Sequence, residues 1–336
     1  MPKVKSYLSL IKFSHTIFAM PFAMIGFFLG LLQYDYGTSV VPGWGTKIFT
    51  PSYQWNLNRT INWVGDEGFS KDSLLSKLII GDVDPVGLTI QYLILVILCM
   101  VFARSAAMAF NRYLDRSFDA MNPRTAIREI PAGIIKSNNA LWFTIISSVL
   151  FVACTFFINR LCFYLSPVAL LVVLGYSYTK RFTPLCHLVL GIGLSLAPIG
   201  AYLAVTGQFA LLPILFSIAV IFWVSGFDII YALQDEEFDK SQQLYSIPAW
   251  LGKAKALHVS ELFHGISAAA VFVAGRIGGF GWLYWMGVTI FIGMLIYQHS
   301  IVKPNDLRKV NLAFMTANGI ASVVFAIFVI ADLFLN

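Results

Sequence analysis

Two short acidic segments carry the residue types best suited to binding a cation. The first, NRYLDRSFD, places Asn111, Asp115 and Asp119 at positions i, i+4 and i+8. On a helix, this spacing puts the three side chains on one slowly drifting stripe. Carboxylate oxygens are ligands that suit Mg²⁺, so the stripe is a candidate metal site.

The second segment, GFDIIYALQDEEFDK, echoes the first. Asp228, Asp235 and Asp239 stand at i, i+7 and i+11, again on one helical face, and Asp235 to Asp239 repeats the DxxFD form of the first segment. If the two helices meet, the four carboxylates of the two DxxFD segments and the asparagine face one another, and the carboxylates repel unless a cation neutralises them. Mg²⁺ commonly binds substrate phosphates as well. The pattern therefore predicts a diphosphate held through Mg²⁺ between two acidic helix ends.

Basic residues should then contact the phosphate oxygens, and four candidates follow the acidic segments. Arg124 and Arg128 lie in NPRTAIREIPAG, and Lys180 and Arg181 lie in GYSYTKRFT. Ionisable groups close to membrane depth are costly, and they are usually retained for function.

The elements that must position these residues are membrane helices. The chain has 336 residues, of which 58% are hydrophobic and 12% charged, whereas soluble domains carry about 25% charged residues. Its apolar runs match the thickness of a bilayer. The sequence predicts an all-α integral membrane protein with nine spans. They are 14–33, 86–110, 138–158, 161–179, 184–206, 209–233, 256–275, 280–301 and 311–334.

The positive charges predict an orientation and exclude nucleic acid as a partner. With the N-terminus inside, 17 of the 23 Lys and Arg residues lie on the cytoplasmic side and 6 lie outside, as the positive-inside rule requires. Both acidic clusters then lie on the cytoplasmic side. The net charge of +6 is distributed over these loops, with no free basic helix that would bind nucleic acid.

Other residues are interpreted as structural. The segment 34–85 is a long extracytoplasmic insertion, in which Trp44, Trp55 and Trp63 are expected near the lipid headgroups. The five histidines show no spacing typical of metal ligands. The four cysteines all lie in apolar runs, without a CxxC motif, and are interpreted as small buried hydrophobic residues.

These motifs resemble those of one enzyme family. NRYLDRSFD resembles the NDxxDxxxD motif of the UbiA superfamily of intramembrane prenyltransferases, DIIYALQDEEFD resembles its second Asp-rich motif, and YSYTKR resembles its Tyr/Lys motif. The resemblance implies a ring of nine transmembrane helices around a central cavity, capped on the cytoplasmic side. It implies a single domain over residues 1–336, with the insertion at 34–85.

The resemblance also implies roles for individual residues. Mg²⁺-diphosphate would be bound by Asn111, Asp115, Asp119, Asp235 and Asp239. The diphosphate would be contacted by Tyr176, Lys180, Arg124 and Arg128. The chain departs from the family pattern at Arg112, where Asp is commonest, a departure that touches no predicted ligand position. It departs again at Arg128-Glu129-Ile130-Pro131, where many members read RPL.

Two further segments, KFSHTIFAMPFAMIG and RTAIREIPAG, resemble bacterial 4-hydroxybenzoate polyprenyltransferase-like enzymes. The function implied is Mg²⁺-dependent transfer of a polyprenyl group from polyprenyl diphosphate to an aromatic acid such as 4-hydroxybenzoate, in quinone biosynthesis at the bacterial inner membrane. Prenylation of a dihydroxynaphthoate in menaquinone synthesis is an alternative. A cation-coupled transporter is a remote one. The acceptor, the prenyl length and the oligomeric state stay open.

Arg104 and Asp228 complete the predicted site. Each lies seven residues before a predicted diphosphate-binding residue, Asn111 or Asp235, so each should point into the same cavity about 10 Å deeper. The two could pair with each other. Alternatively, Arg104 binds the carboxylate of the acceptor, and Asp228 holds or deprotonates the ring hydroxyl. Asp228 and Lys180 are the candidate catalytic residues.

Overall fold

The computed structural model of the protein describes residues 2–11, 18–34 and 85–336. His15 and nearly all of the predicted insertion 34–85, with its three Trp residues, lie outside these ranges. Within them the regular structure is helical, with a 3-10 turn at Leu233–Asp235 and a π-helix at Leu312–Ala317. The α-helices are α1 (Pro2–Leu10), α2 (Met20–Tyr34), α3 (Pro85–Leu114), α4 (Arg116–Met121), α5 (Ser137–Ile158), α6 (Arg160–Thr179), α7 (Cys186–Thr206), α8 (Leu211–Ala232), α9 (Glu236–Ser241), α10 (Ile247–Leu251), α11 (Lys253–Gly278), α12 (Trp282–Ile301) and α13 (Asn318–Leu335).

The chain is a multi-pass membrane protein. In the described ranges, seven helical segments are long and apolar enough to cross a bilayer. They lie at seven of the nine predicted spans. The apolar stretch Met20–Leu32 is shorter than these seven segments, and α12 is not among the seven. Helices therefore occur at all nine predicted positions, while nine transmembrane spans stay a prediction.

The long helices pack in a closed series. Each contacts the next along the chain from α3 to α13, skipping the short helices, and α13 then packs on α2, which touches α3. One side of this series is filled by aromatic rings between α2, α8, α12 and α13, among them Phe22, Trp223, Phe291 and Phe325, which are all fully buried. Open space is found instead on the side formed by α3, α5, α6 and α7.

A close crossing of α2 and α7 holds these two sides together. A Cβ atom at Gly26 would lie only 2.0 Å from the carbonyl oxygen of Pro198, and one at Gly30 would lie 3.3 Å from that of Tyr202. The two glycines form a GxxxG pattern. Small residues at such spacing let helix backbones approach closely in membranes, where van der Waals contact drives helix association.

We expect Gly26→Ala to destabilise the protein, because the added methyl group must displace a helix backbone. Overpacking of this kind costs about 1–3 kcal/mol. Thermal unfolding in detergent measures the effect. Gly293→Ala on α12 is the matched control, since a Cβ atom there meets nothing within 4 Å. Equal unfolding temperatures for the two variants would show that the crossing tolerates a side chain.

Candidate functional site

The two acidic clusters lie where α3 and α8 end, and each continues across a helix break. Helix α3 ends at Leu114 and α4 begins at Arg116. Across this break the amide of Asp115 donates to the carbonyl of Asn111 at 2.9 Å, and the amide of Asp119 donates to that of Asp115 at 2.7 Å. The helical hydrogen-bond spacing is thus kept through the junction, which aligns the three side chains. In the second cluster, a 3-10 turn ending at Asp235 joins α8 to α9.

One cavity of about 230 Å³ collects most of the predicted site residues. Asp239 does not line this cavity and is fully buried behind it, whereas Arg104 lines a different cavity. The predicted residues that line the first cavity are Asn111, Asp115, Asp119, Arg124, Arg128, Tyr176, Lys180, Arg181, Asp228 and Asp235.

The first acidic cluster is bonded to two arginines. Asn111 Nδ2 donates to Asp115 Oδ2 at 3.0 Å, and Arg181 Nη2 lies 3.5 Å from Asp115 Oδ1. Arg128 Nη1 donates to Asp119 Oδ1 at 2.6 Å. Burial and the neighbouring Asp119 charge both raise the pKa of the Asp115 carboxyl above its ordinary value. The site therefore needs positive charge to keep this carboxyl ionised.

The second acidic cluster is paired in the same way. Arg124 forms a two-pronged pair with Asp235, in which Nε donates to Oδ1 at 3.0 Å and Nη2 donates to Oδ2. Lys180 Nζ lies 2.7 Å from Asp239 Oδ1. Burial by itself would lower the pKa of Lys180, but the Asp239 carboxylate more than offsets this, so the pKa is raised. The raised pKa keeps Lys180 a cation.

Arg112 is closer to the predicted ligands than the sequence suggests. Its side chain is buried, and Nη1 lies 3.7 Å from Asp119 Oδ2. This departure from the family pattern replaces no predicted ligand, but it adjoins one, because Asp119 lies between two arginines, Arg112 and Arg128. A buried charge requires such a partner.

The donor chemistry of the cavity fits Mg²⁺. Amide and carboxylate oxygens are hard ligands, the type that Mg²⁺ prefers, and four of the five predicted metal ligands line the same cavity. In the described part of the chain, however, no three His, Cys, Asp or Glu side chains are gathered as a metal site. Asp115, Asp119, Asp235 and Asp239 each face an arginine or a lysine instead.

Arg104 and Asp228 are neither paired nor in one cavity. Asp228 Oδ2 lies 2.7 Å from His187 Nδ1, and Arg104 forms no ion pair with any described residue. Arg104 is the one charged residue among the described residues that line an apolar cavity of about 390 Å³ between α3, α5, α6 and α7. The prediction of a common cavity is therefore wrong. The two cavities are nevertheless adjacent, because Tyr176 and Leu190 line both.

Two site residues escape sequence reasoning. His187, interpreted as structural, is buried and lines the polar cavity beside Asp228. Asn122 is also buried, and its Nδ2 donates to Asp235 Oδ1 at 3.2 Å, while its Oδ1 accepts from the amide of Arg124 at 3.0 Å. The sequence Asn-Pro-Arg at 122–124 is typical of a turn, and it could have indicated that the Asn122 side chain bonds to the backbone two residues on. No local pattern marks His187, because its partner lies on the next helix.

Known proteins share both the sequence and the fold. Residues 81–320 match the UbiA prenyltransferase family. A 4-hydroxybenzoate octaprenyltransferase of Tolumonas auensis is 30% identical over 241 residues, covering 70% of this chain and 82% of the relative. One of Francisella tularensis subsp. mediasiatica is 28% identical over 241 residues, covering 72% of this chain and 84% of that protein.

Among solved structures, the apo structure of a UbiA homologue from Aeropyrum pernix aligns with a TM-score of 0.68 at 26% identity, covering 96% of this chain and 97% of the other. A UbiA homologue from Archaeoglobus fulgidus, bound to DMAPP and Mg²⁺, aligns with a TM-score of 0.62 at 18% identity. It covers 98% of this chain and 100% of its own, and it supports the fold alone. The match over most of the chain, with residues of both acidic clusters lining one cavity at the ends of membrane helices, shows that this protein belongs to the UbiA prenyltransferase family and is a membrane prenyltransferase.

Proposed function

We propose that this enzyme transfers a polyprenyl group from polyprenyl diphosphate to an aromatic acid of the 4-hydroxybenzoate type, with Mg²⁺ as cofactor. One observation carries the proposal. A cavity lined by carboxylates and basic side chains adjoins, through Tyr176, an apolar cavity in which Arg104 is the one cation among the described residues. The first suits a metal-bound diphosphate. The second suits an isoprenoid tail and the carboxylate of an aromatic acid.

The polar cavity would bind the diphosphate. Arg124, Arg128, Lys180 and Arg181 would exchange their present carboxylate partners for phosphate oxygens, and Tyr176 would contact the same group. The metal would be held by oxygens from Asn111, Asp115, Asp119, Asp235 and Asp239. Mg²⁺ stabilises the negative charge that develops on a leaving diphosphate. The metal is needed for this exchange, because the same carboxylates would repel a diphosphate that entered the cavity without a cation.

The apolar cavity would hold the tail and exclude water, so that the allylic cation formed on cleavage of the C–O bond is not quenched. Arg104 would bind the acceptor carboxylate, since its Nε is buried without a hydrogen-bond partner among the described residues. Asp228, on the polar side of Tyr176, would hold the ring hydroxyl and make the ring more nucleophilic. The ring then forms a bond to the allylic carbon and loses a proton.

The topology is part of the same proposal. A single domain over residues 1–336 would span the bacterial inner membrane nine times, as a ring capped on the cytoplasmic side. The N-terminus and the active site would lie on that side. The 17 to 6 distribution of Lys and Arg supports this orientation, and the bacterial origin of the relatives supports this membrane.

The test is an assay of the purified protein with a polyprenyl diphosphate and a set of aromatic compounds, with products read by mass spectrometry. We expect prenylation of 4-hydroxybenzoate, with a dihydroxynaphthoate as the rival acceptor. Benzoate, which lacks the hydroxyl group, and phenol, which lacks the carboxylate, should react poorly. EDTA should stop the reaction, and added Mg²⁺ should restore it. Full activity in EDTA would contradict the metal requirement, and equal rates with phenol would contradict an aromatic acid acceptor.

A further inference from the structure

The imidazole of His187 is held at both nitrogens. On one side, Nδ1 lies 2.7 Å from Asp228 Oδ2. On the other, Nε2 lies 3.3 Å from the backbone nitrogen of Ile247. The side chain is buried, so these two contacts determine its orientation. A histidine fixed in this way affects the site through the residues to which it is bonded.

The contact with Ile247 identifies the tautomer. A backbone amide can only donate, so Nε2 must accept and cannot carry a proton. The ring proton is then on Nδ1, from which it is donated to the Asp228 carboxylate. With both nitrogens occupied in this way, His187 serves to anchor Asp228.

The amide of Ile247 is itself fixed by the neighbouring segment. The amide of Tyr245 donates to the carbonyl of Lys180 at 2.7 Å. Ser246 Oγ donates to Asp239 Oδ2 at 2.8 Å. The residues that position His187 are thus bonded to two residues of the proposed diphosphate site, and the imidazole on α7 is held between Asp228 of α8 and Ile247 of α10.

The consequence is that the two oxygens of Asp228 have different surroundings. Oδ2 accepts from His187, whereas no described residue donates to Oδ1. The Asp228 side chain is 24% exposed, and it lines the polar cavity beside Tyr176. One oxygen is fixed, and the other is left for a ligand.

We infer that His187 is a positioning residue of the acceptor site, which holds one oxygen of Asp228 so that the other accepts a hydrogen bond from the acceptor's hydroxyl group. This inference rests on the proposed function, because it needs an acceptor that carries a hydroxyl group. It assigns His187 no contact with the diphosphate or the metal.

The test compares His187→Asn with His187→Gln. An Asn amide can place a donor near the position of Nδ1, whereas a Gln amide ends near the position of Nε2 and leaves Asp228 without its donor. The Gln variant thus loses a hydrogen bond to a charged group, which contributes more than a hydrogen bond between neutral groups. We therefore expect kcat/KM for the acceptor to fall about 10-fold to 100-fold in His187→Gln, and by about threefold or less in His187→Asn. KM for the prenyl diphosphate should not change.

Two further measurements separate positioning from a structural role. Benzoate lacks the hydroxyl group, so its inhibition constant should be the same in wild type and in His187→Gln. His258→Gln, at an exposed position on α11, should behave as wild type. Equal kinetic losses in the Asn and Gln variants, or a changed KM for the prenyl diphosphate, would overturn the inference. If wild type prenylates no aromatic acid, the proposed function fails first and the inference fails with it.

Discussion

Asp235→Asn is expected to lower turnover by about 10³-fold or more while the protein stays folded. In the structure, Asp235 accepts two hydrogen bonds from Arg124 and one from Asn122. Replacing the carboxylate would remove a negative charge from the proposed metal site, and it would also break the pair that orients Arg124. The loss should therefore exceed that of a single hydrogen bond.

The measurement is the steady-state rate with saturating substrates, together with size-exclusion chromatography and thermal unfolding in detergent. Glu237→Gln is the matched control, because Glu237 is exposed on α9 two residues away and does not line the cavity. We expect that variant to keep wild-type activity. Activity of Asp235→Asn within about tenfold of wild type would remove Asp235 from the proposed metal site.

Arg104→Ala is expected to raise KM for the aromatic acid by about 10²-fold and to leave KM for the prenyl diphosphate nearly unchanged. The reason is the isolation of this cation, since no described residue forms an ion pair with it and its Nε has no hydrogen-bond partner there. A bidentate pair with a carboxylate provides strong, charge-assisted hydrogen bonds. Their loss should weaken the binding of the acceptor alone.

The lysine variant sharpens this test. Lysine keeps the charge but not the planar pair of donors, so Arg104→Lys should not restore acceptor binding. Arg276→Ala, at an exposed position in the last turn of α11, is the control and should match wild type. If Arg104→Ala raised KM for the prenyl diphosphate instead, Arg104 would belong to the diphosphate site. If it changed neither KM, Arg104 would have no role in substrate binding.

The sequence by itself determined the class of protein, the positions of the long helices and the two acidic clusters. These properties are local. A run of about 20 apolar residues crosses a bilayer as a helix, which satisfies its own backbone groups where no water is present. The span predicted at 209–233 is the helix Leu211–Ala232. The i, i+4 spacing of Asn111 and Asp115 likewise places them together on any helix, and their side chains are bonded at 3.0 Å.

Only the tertiary structure decided which side chains face one another across helices. The spacing along α3 gives the direction in which the Arg104 side chain leaves the helix, relative to that of Asn111. The neighbouring helices determine which cavity lies in that direction. Arg104 therefore lies among apolar residues while Asp228 pairs with His187. The contact of Arg112 with Asp119 and that of Asn122 with Asp235 depend in the same way on how the chain returns after a helix break. Burial makes a partner favourable for a charge. Packing supplies one to Asp119 and to Asp235, but none among the described residues to Arg104.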